Sequence, residues 1–137
     1  DMLIRSFGIN SEKYDAVTYV PRTKKAKRRY GVDQSEVIAK AVSDKTGVPA
    51  VSFFERIGSR EQKLLSYSER KKNIKNAFCL KYIPNEKYKR ILLVDDIVTT
   101  GATLSVCAEL LRKNAAKRVV PIAIAKTNFS LRKQFDF

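Results

Sequence analysis

Two adjacent carboxylates, Asp95 and Asp96, directly follow the apolar run Ile91-Leu92-Leu93-Val94. Two residues later comes Thr99-Thr100-Gly101-Ala102-Thr103, which carries three hydroxyls and one glycine. Each part has a physical use. A helix beginning there presents amides with no acceptor inside the helix, and its dipole favours an anion, so the segment suits a phosphate monoester. Gly101 permits close backbone approach. The acids repel phosphate, but they can accept hydrogen bonds from a sugar diol and stabilise positive charge on a ribose ring. Acids followed by a phosphate cup therefore read as a site for a phosphorylated sugar. A Walker A loop needs a Gly-Lys-Ser or Gly-Lys-Thr ending, which the chain lacks, and a dinucleotide fingerprint needs three spaced glycines where this loop has one. A plain turn at Asp95-Asp96 with Thr103 capping a helix would explain an isolated acid pair. It does not explain strand, acids, hydroxyl loop and helix in the one order that works over Ile91–Thr103.

The flanking pattern supplies elements to hold these groups. Ile91–Val94 suits a strand buried on both faces, as in a parallel sheet. Leu104, Cys107, Ala108 and Leu111 recur at helical spacing, and Val119–Ala125 is a further strand weakened by Pro121. Upstream, Tyr14–Val20 has strand composition and Pro21 ends it. Asp33 with Glu36 forms a capping-box pattern for a helix that carries Val37, Ile38, Ala41 and Val42 on one face. Gly47 and Pro49 close that helix, and Val48–Phe54 reads as a second strand. From Glu55 to Asn76 the chain is polar; a mobile surface loop is expected, then a short helix from Ser66 through Lys75. Asn85-Glu86-Lys87 reads as a turn, and Asn128–Phe137 has no clear pattern. Alternating strands and helices predict an α/β fold: a Rossmann-like parallel sheet with helices on both faces and ligands beyond the carboxyl ends of its strands.

The chain has 137 residues, enough for one domain spanning 1–137, and 44% of them are apolar, which allows a core. No apolar run approaches the roughly 20 residues needed to cross a bilayer, and the start has no secretory h-region, so a soluble cytoplasmic protein is expected. Lys and Arg total 28 against 14 Asp and Glu, a net charge of +14, which favours polyanions. Six cations fall within Arg22–Arg29. With tyrosines such as Tyr30, Tyr67 and Tyr82, that run also suits single-stranded DNA. Histidine is absent, which excludes triads and metal sites that need an imidazole within this chain. Two cysteines make neither a disulfide framework nor a zinc site; Cys107 and Cys79 both read as core residues.

The segment Ile91–Thr103 resembles the phosphoribosyl pyrophosphate signature of type I phosphoribosyltransferases. Within that superfamily the chain is most similar to the ComF family of late-competence proteins. Val20-Pro21, the basic run and Gly31-Val32-Asp33-Gln34 resemble one family block. Arg56, Gln62, Leu65, Glu69-Arg70, Asn73-Ile74 and Ala77-Phe78 resemble another, and the likeness runs from about Tyr14 to Lys126. It implies that Asp95 and Asp96 bind ribose hydroxyls and that Thr99, Thr100, Gly101, Ala102 and Thr103 form the 5′-phosphate loop. It implies that Arg22, Thr23, Lys24 and Lys25 occupy the pyrophosphate turn, with Arg28 helping to neutralise pyrophosphate. The loop Arg56–Ser68 matches a hood over the substrate. The implied chemistry is pentosyl transfer from phosphoribosyl pyrophosphate with Mg²⁺, held through the ligand and by Asp95 and Asp96. A role in DNA uptake and a homodimer are further implications.

The sequence departs from the family at three points. The paired cysteines of the family's frequent N-terminal zinc module do not occur in these residues. The family's Arg-Gly is Tyr30-Gly31. Thr99 stands where purine-salvage relatives place an acid, which argues against hypoxanthine-type activity.

Overall fold

The computed structural model describes residues 13–57, 77–98, 101–114 and 116–126. Its central sheet has the order β1-β4-β5, all parallel, formed by β1 (Ala16–Tyr19), β4 (Arg90–Val98) and β5 (Arg118–Lys126). Ile91, Leu92, Leu93 and Val94 are at most 1% exposed, so the middle strand is covered on both faces as its unbroken apolar run requires. Pro121 is accommodated within β5, next to β4 on one side.

A helix lies on each face, as expected for this fold class. Helix α3 (Ala102–Lys113) turns Leu104, Cys107, Ala108 and Leu111 onto Ile91, Leu93 and Ala16. Each leucine so buried contributes about 1.5–3 kcal/mol relative to an exposed one. On the other face, Ala39 and Val42 of α2 (Gln34–Thr46) pack with Val17, Leu92 and Val94. Of the expected face Val37, Ile38, Ala41 and Val42, Val42 is buried and Ile38 packs against the core, but Val37 and Ala41 are exposed and Ser35 and Ala39 are buried in their place. The reason is at its start. Ser35 is drawn inward to donate to Asp95, which rotates the helix away from the purely apolar solution.

Between β1 and α2 runs a seven-residue helix, α1 (Lys24–Tyr30), in a basic stretch whose residue pattern predicts no regular structure. Thr23 caps it by accepting from the Ala26 amide, and Gly31 ends it at φ 76°, in the left-handed region open to glycine. Gly47 closes α2 in the same way, as anticipated.

The expected strand Val48–Phe54 is replaced by two partial pairings. Pro49 accepts from the Val17 amide and Val51 donates to the Val17 carbonyl, so this stretch touches β1 at a single bridge. Residues Phe54–Arg56 then form β2, antiparallel to β3 (Phe78–Leu80). The reason is geometric: the chain leaves the parallel sheet to pair with the strand that returns after residue 76. The turn at Asn85–Lys87 forms as expected, with the Asn85 side chain accepting from the Lys87 amide. The predicted Ser66–Lys75 helix and most of the hood loop lie outside the described residues, as does the tail.

Candidate functional site

Strands β1 and β4 run parallel in the register Ala16↔Ile91 to Tyr19↔Val94, so Val20-Pro21 and Asp95-Asp96 leave the core at one sheet edge. Strand β4 continues through both acids to Val98, so they are strand residues and not the start of a loop. Pairing to β5 holds Asp95 opposite Ala123. A cavity of about 430 Å³ opens here. Its walls include Asp95, Asp96 and Thr103, the turn from Val20 to Thr23, and Arg56. The two acids, Thr103 and the basic turn thus face one space.

Asp33 fixes the turn. Its Oδ1 accepts from the Ser35 and Glu36 amides as the cap of α2, while its Oδ2 accepts from the Arg22 amide at 2.9 Å. The side chain is only 4% exposed. One buried carboxylate therefore ties the turn after β1 to the start of α2. The capping pattern revealed the first role; nothing in the sequence pointed to the second.

The two acids are held differently. Asp95 Oδ1 accepts from the Ser35 hydroxyl at 3.1 Å and from the Asp96 amide at 2.9 Å. Burial pushes its pKa up to about 6, against the Ser35 hydrogen bond and the Arg22 charge; Asp33 adds to the rise and Arg56 opposes it. Asp96 is paired with the Arg22 guanidinium. In this state a cation of the basic turn neutralises the second acid.

Of the expected phosphate loop, Gly101, Ala102 and Thr103 are described, whereas Thr99 and Thr100 lie outside the described residues. Gly101 is the N-cap of α3 at φ 81°, a conformation L side chains rarely adopt. Thr103, in the first turn, borders the cavity.

A second cavity, of about 820 Å³, adjoins the first and shares Pro21, Arg22, Thr23 and Arg56 with it. Lys24, Lys25 and Lys27 of α1 and Lys81 beyond β3 line it, with Phe54 and Cys79. Arg28 borders neither cavity; its side chain is exposed and turns back to the Lys24 carbonyl. Cys107 is fully buried as expected. Cys79 is half-buried and lines the larger cavity, which corrects its reading as a core residue: β3 belongs to the small outer pair, not to the central sheet. Sequence reasoning missed Lys27 and Lys81 as cavity residues and Ser35 as the donor to Asp95. Arg56 was legible as part of a family block and as the start of the expected hood loop; it is instead the last residue of β2.

Comparison with known proteins gives this geometry its context. Residues 7–133 match the family described as the phosphoribosyl transferase domain. The chain belongs to that family. The ComF resemblance is borne out by relatives of this phosphoribosyl transferase domain. It is 32% identical over 115 residues to Competence protein F of Haemophilus influenzae, and 31% identical over 120 residues to DNA utilization protein YhgH of Escherichia coli. Each alignment covers 82% of this chain and 50% of the relative, so the chain spans about half the length of the curated relatives it matches. Among solved structures, the allosteric regulatory enzyme of purine biosynthesis superposes at a TM-score of 0.60 and 20% identity. That match covers 89% of this chain and 23% of the other, and it speaks to the fold.

Proposed function

We propose that this domain binds phosphoribosyl pyrophosphate or ribose 5-phosphate in the cleft between the basic turn and α3. The observation that carries the reading is the shared cavity: Asp95, Asp96, Thr103 and the Arg22–Thr23 turn line one space of about 430 Å³. A 5′-phosphate would sit at the mouth of α3, where helix geometry favours an anion. The ribose diol would donate to Asp95 and Asp96, displacing Arg22 from Asp96. The substituent on C1 would then face the shared wall at Pro21–Thr23. Pentosyl transfer from such a ligand would break the C1–O bond, its electron pair leaving with pyrophosphate, as a nucleophile's lone pair closes on C1.

Mg²⁺ suits this donor set. Among the described residues no three His, Cys, Asp or Glu side chains gather to hold a metal. Asp95 and Asp96 offer two hard oxygen donors, which matches an ion that takes one or two carboxylates and fills its shell from phosphate oxygens and water. Bound there, it would neutralise charge on the pyrophosphate.

Isothermal calorimetry with phosphoribosyl pyrophosphate and Mg²⁺, on the wild type and on Asp95→Asn/Asp96→Asn, tests the assignment. The wild type should bind and the variant should bind at least about tenfold more weakly, as expected when charge-assisted hydrogen bonds are lost. Equal affinity would refute the site.

A second reading, compatible with the first, is contact with single-stranded DNA as part of a ComF-like role in DNA uptake. The observation favouring it is α1, which exposes Lys24, Lys25, Lys27, Arg28 and Arg29 together and has no acid in its first turn. The names of the two relatives, one for competence and one for DNA utilization, agree with that role.

A further inference from the structure

Asp33 carries more than a helix cap requires. A cap needs one acceptor oxygen, which Ser, Thr or Asn supplies as well as Asp. Here a carboxylate stands, 4% exposed, with no Lys or Arg among the described residues within ion-pair distance. Burying a charge without a cation is costly unless hydrogen bonds replace its water. Asp33 accepts from backbone amides on both oxygens: from Ser35 at 3.1 Å and Glu36 at 3.4 Å on Oδ1, and from Arg22 at 2.9 Å on Oδ2. The bond to Arg22 is the shortest of these, and it reaches outside the helix to a residue 11 positions away. Capping explains the first oxygen and leaves the second unexplained.

Arg22 is gripped at two points: its amide donates to Asp33, and its guanidinium pairs with Asp96. Arg22 and Thr23, the cap of α1, both border the two cavities. A ribose diol seated on Asp95 and Asp96 takes Asp96 away from the guanidinium. It leaves the amide bond alone, because Asp33 belongs to the start of α2 and not to the acid pair on β4. The bond to Asp33 then holds the Arg22 backbone while the side chain swings free. We propose that Asp33 is a positioning residue: it fixes the Arg22–Thr23 turn against the substituent on C1 of a bound sugar phosphate once Arg22 has left Asp96. This rests on the ligand reading given under the proposed function.

Two substitutions separate the cap from the tether. Asp33→Ser keeps a good capping oxygen, but that one atom cannot also sit at the Arg22 amide. Asp33→Asn keeps the length and one acceptor, and its NH₂ group then opposes either the cap amides or the Arg22 amide, donor against donor. Phosphoribosyl pyrophosphate and ribose 5-phosphate are titrated into the wild type and both variants with Mg²⁺ present, and thermal melts establish that each variant is folded. Both variants should lose about tenfold in affinity for phosphoribosyl pyrophosphate, the effect of a misplaced binding turn. Affinity for ribose 5-phosphate, which has only a hydroxyl on C1, should fall by no more than about twofold. Asp33→Ser carries the test should the asparagine variant not fold. Full affinity for phosphoribosyl pyrophosphate in the folded variants would leave Asp33 a cap and nothing more, and equal weakening toward both ligands would make it a general support of the fold; either result overturns the proposal. Failure of the wild type to bind either ligand would instead defeat the underlying site assignment, and the proposal with it.

Discussion

Burial raises the Asp95 pKa to about 6, while the Ser35 hydroxyl and the charge of Arg22 pull the other way. The consequence for stability has a definite sign. Below the ordinary carboxylate pKa both folded and unfolded chains are protonated here. As pH rises toward 6 the unfolded chain ionises first, so Asp95 takes stability away over that window. Above about pH 6 the loss is complete and constant. Asp95→Asn keeps the acceptor oxygen for Ser35 and removes the charge. In metal-free buffer at pH 7.5 the variant should therefore be more stable than the wild type by about 2 kcal/mol, the advantage vanishing near pH 4. Denaturant melts at the two pH values measure this, and a constant difference would contradict it. A residue that weakens the fold yet lines the cavity has the character of a functional group. The pair Asp95-Asp96 was legible as a candidate site from residue type and order alone. Their unequal state was not, because it depends on Ser35 and Arg22, which are 60 and 74 positions away in sequence.

Elements were legible where burial sets a clear period. Strand β4 and the Leu104–Leu111 stripe of α3 carry unbroken signals, and both formed with those faces inward. Where two forces compete, the pattern misled. On α2 the apolar period pointed to Val37 and Ala41, but the hydrogen bond from Ser35 to Asp95 set a different rotation. Helix α1 was invisible to periodicity because it has no apolar face; Thr23 at its start and Gly31 at its end were the signals present, without an acid to complete a capping box. The stretch Val48–Phe54 has strand composition throughout. Composition could not tell that its first half would lean on β1 and its end would pair with β3.

Across the whole molecule, the parallel sheet gathers the turn after β1 and the acids of β4 at one edge, Lys24, Lys25, Lys27 and Lys81 line the cavity beside it, and the chain carries a net charge of +14. No helix among the described residues is long and apolar enough to cross a membrane. A field of this sign attracts both a polyphosphate metabolite and a nucleic-acid backbone. The two can be separated by salt. Single-stranded DNA binding through α1 should weaken steeply as salt rises, and Lys24→Ala/Lys25→Ala/Lys27→Ala should flatten the log–log slope by about 2, three phosphate contacts' worth. Fluorescence anisotropy against a salt series reads that slope. A flat response in the wild type would remove DNA from the account and leave the sugar-phosphate cleft standing.

The most direct test of that cleft is a crystal of the domain soaked with ribose 5-phosphate. The phosphate should lie against the first turn of α3 at Gly101–Thr103, with the 2′- and 3′-hydroxyls on Asp95 and Asp96 and the Arg22 guanidinium moved off Asp96. Density for the sugar phosphate on the exposed face of α1, with the Arg22–Asp96 pair intact, would contradict the account.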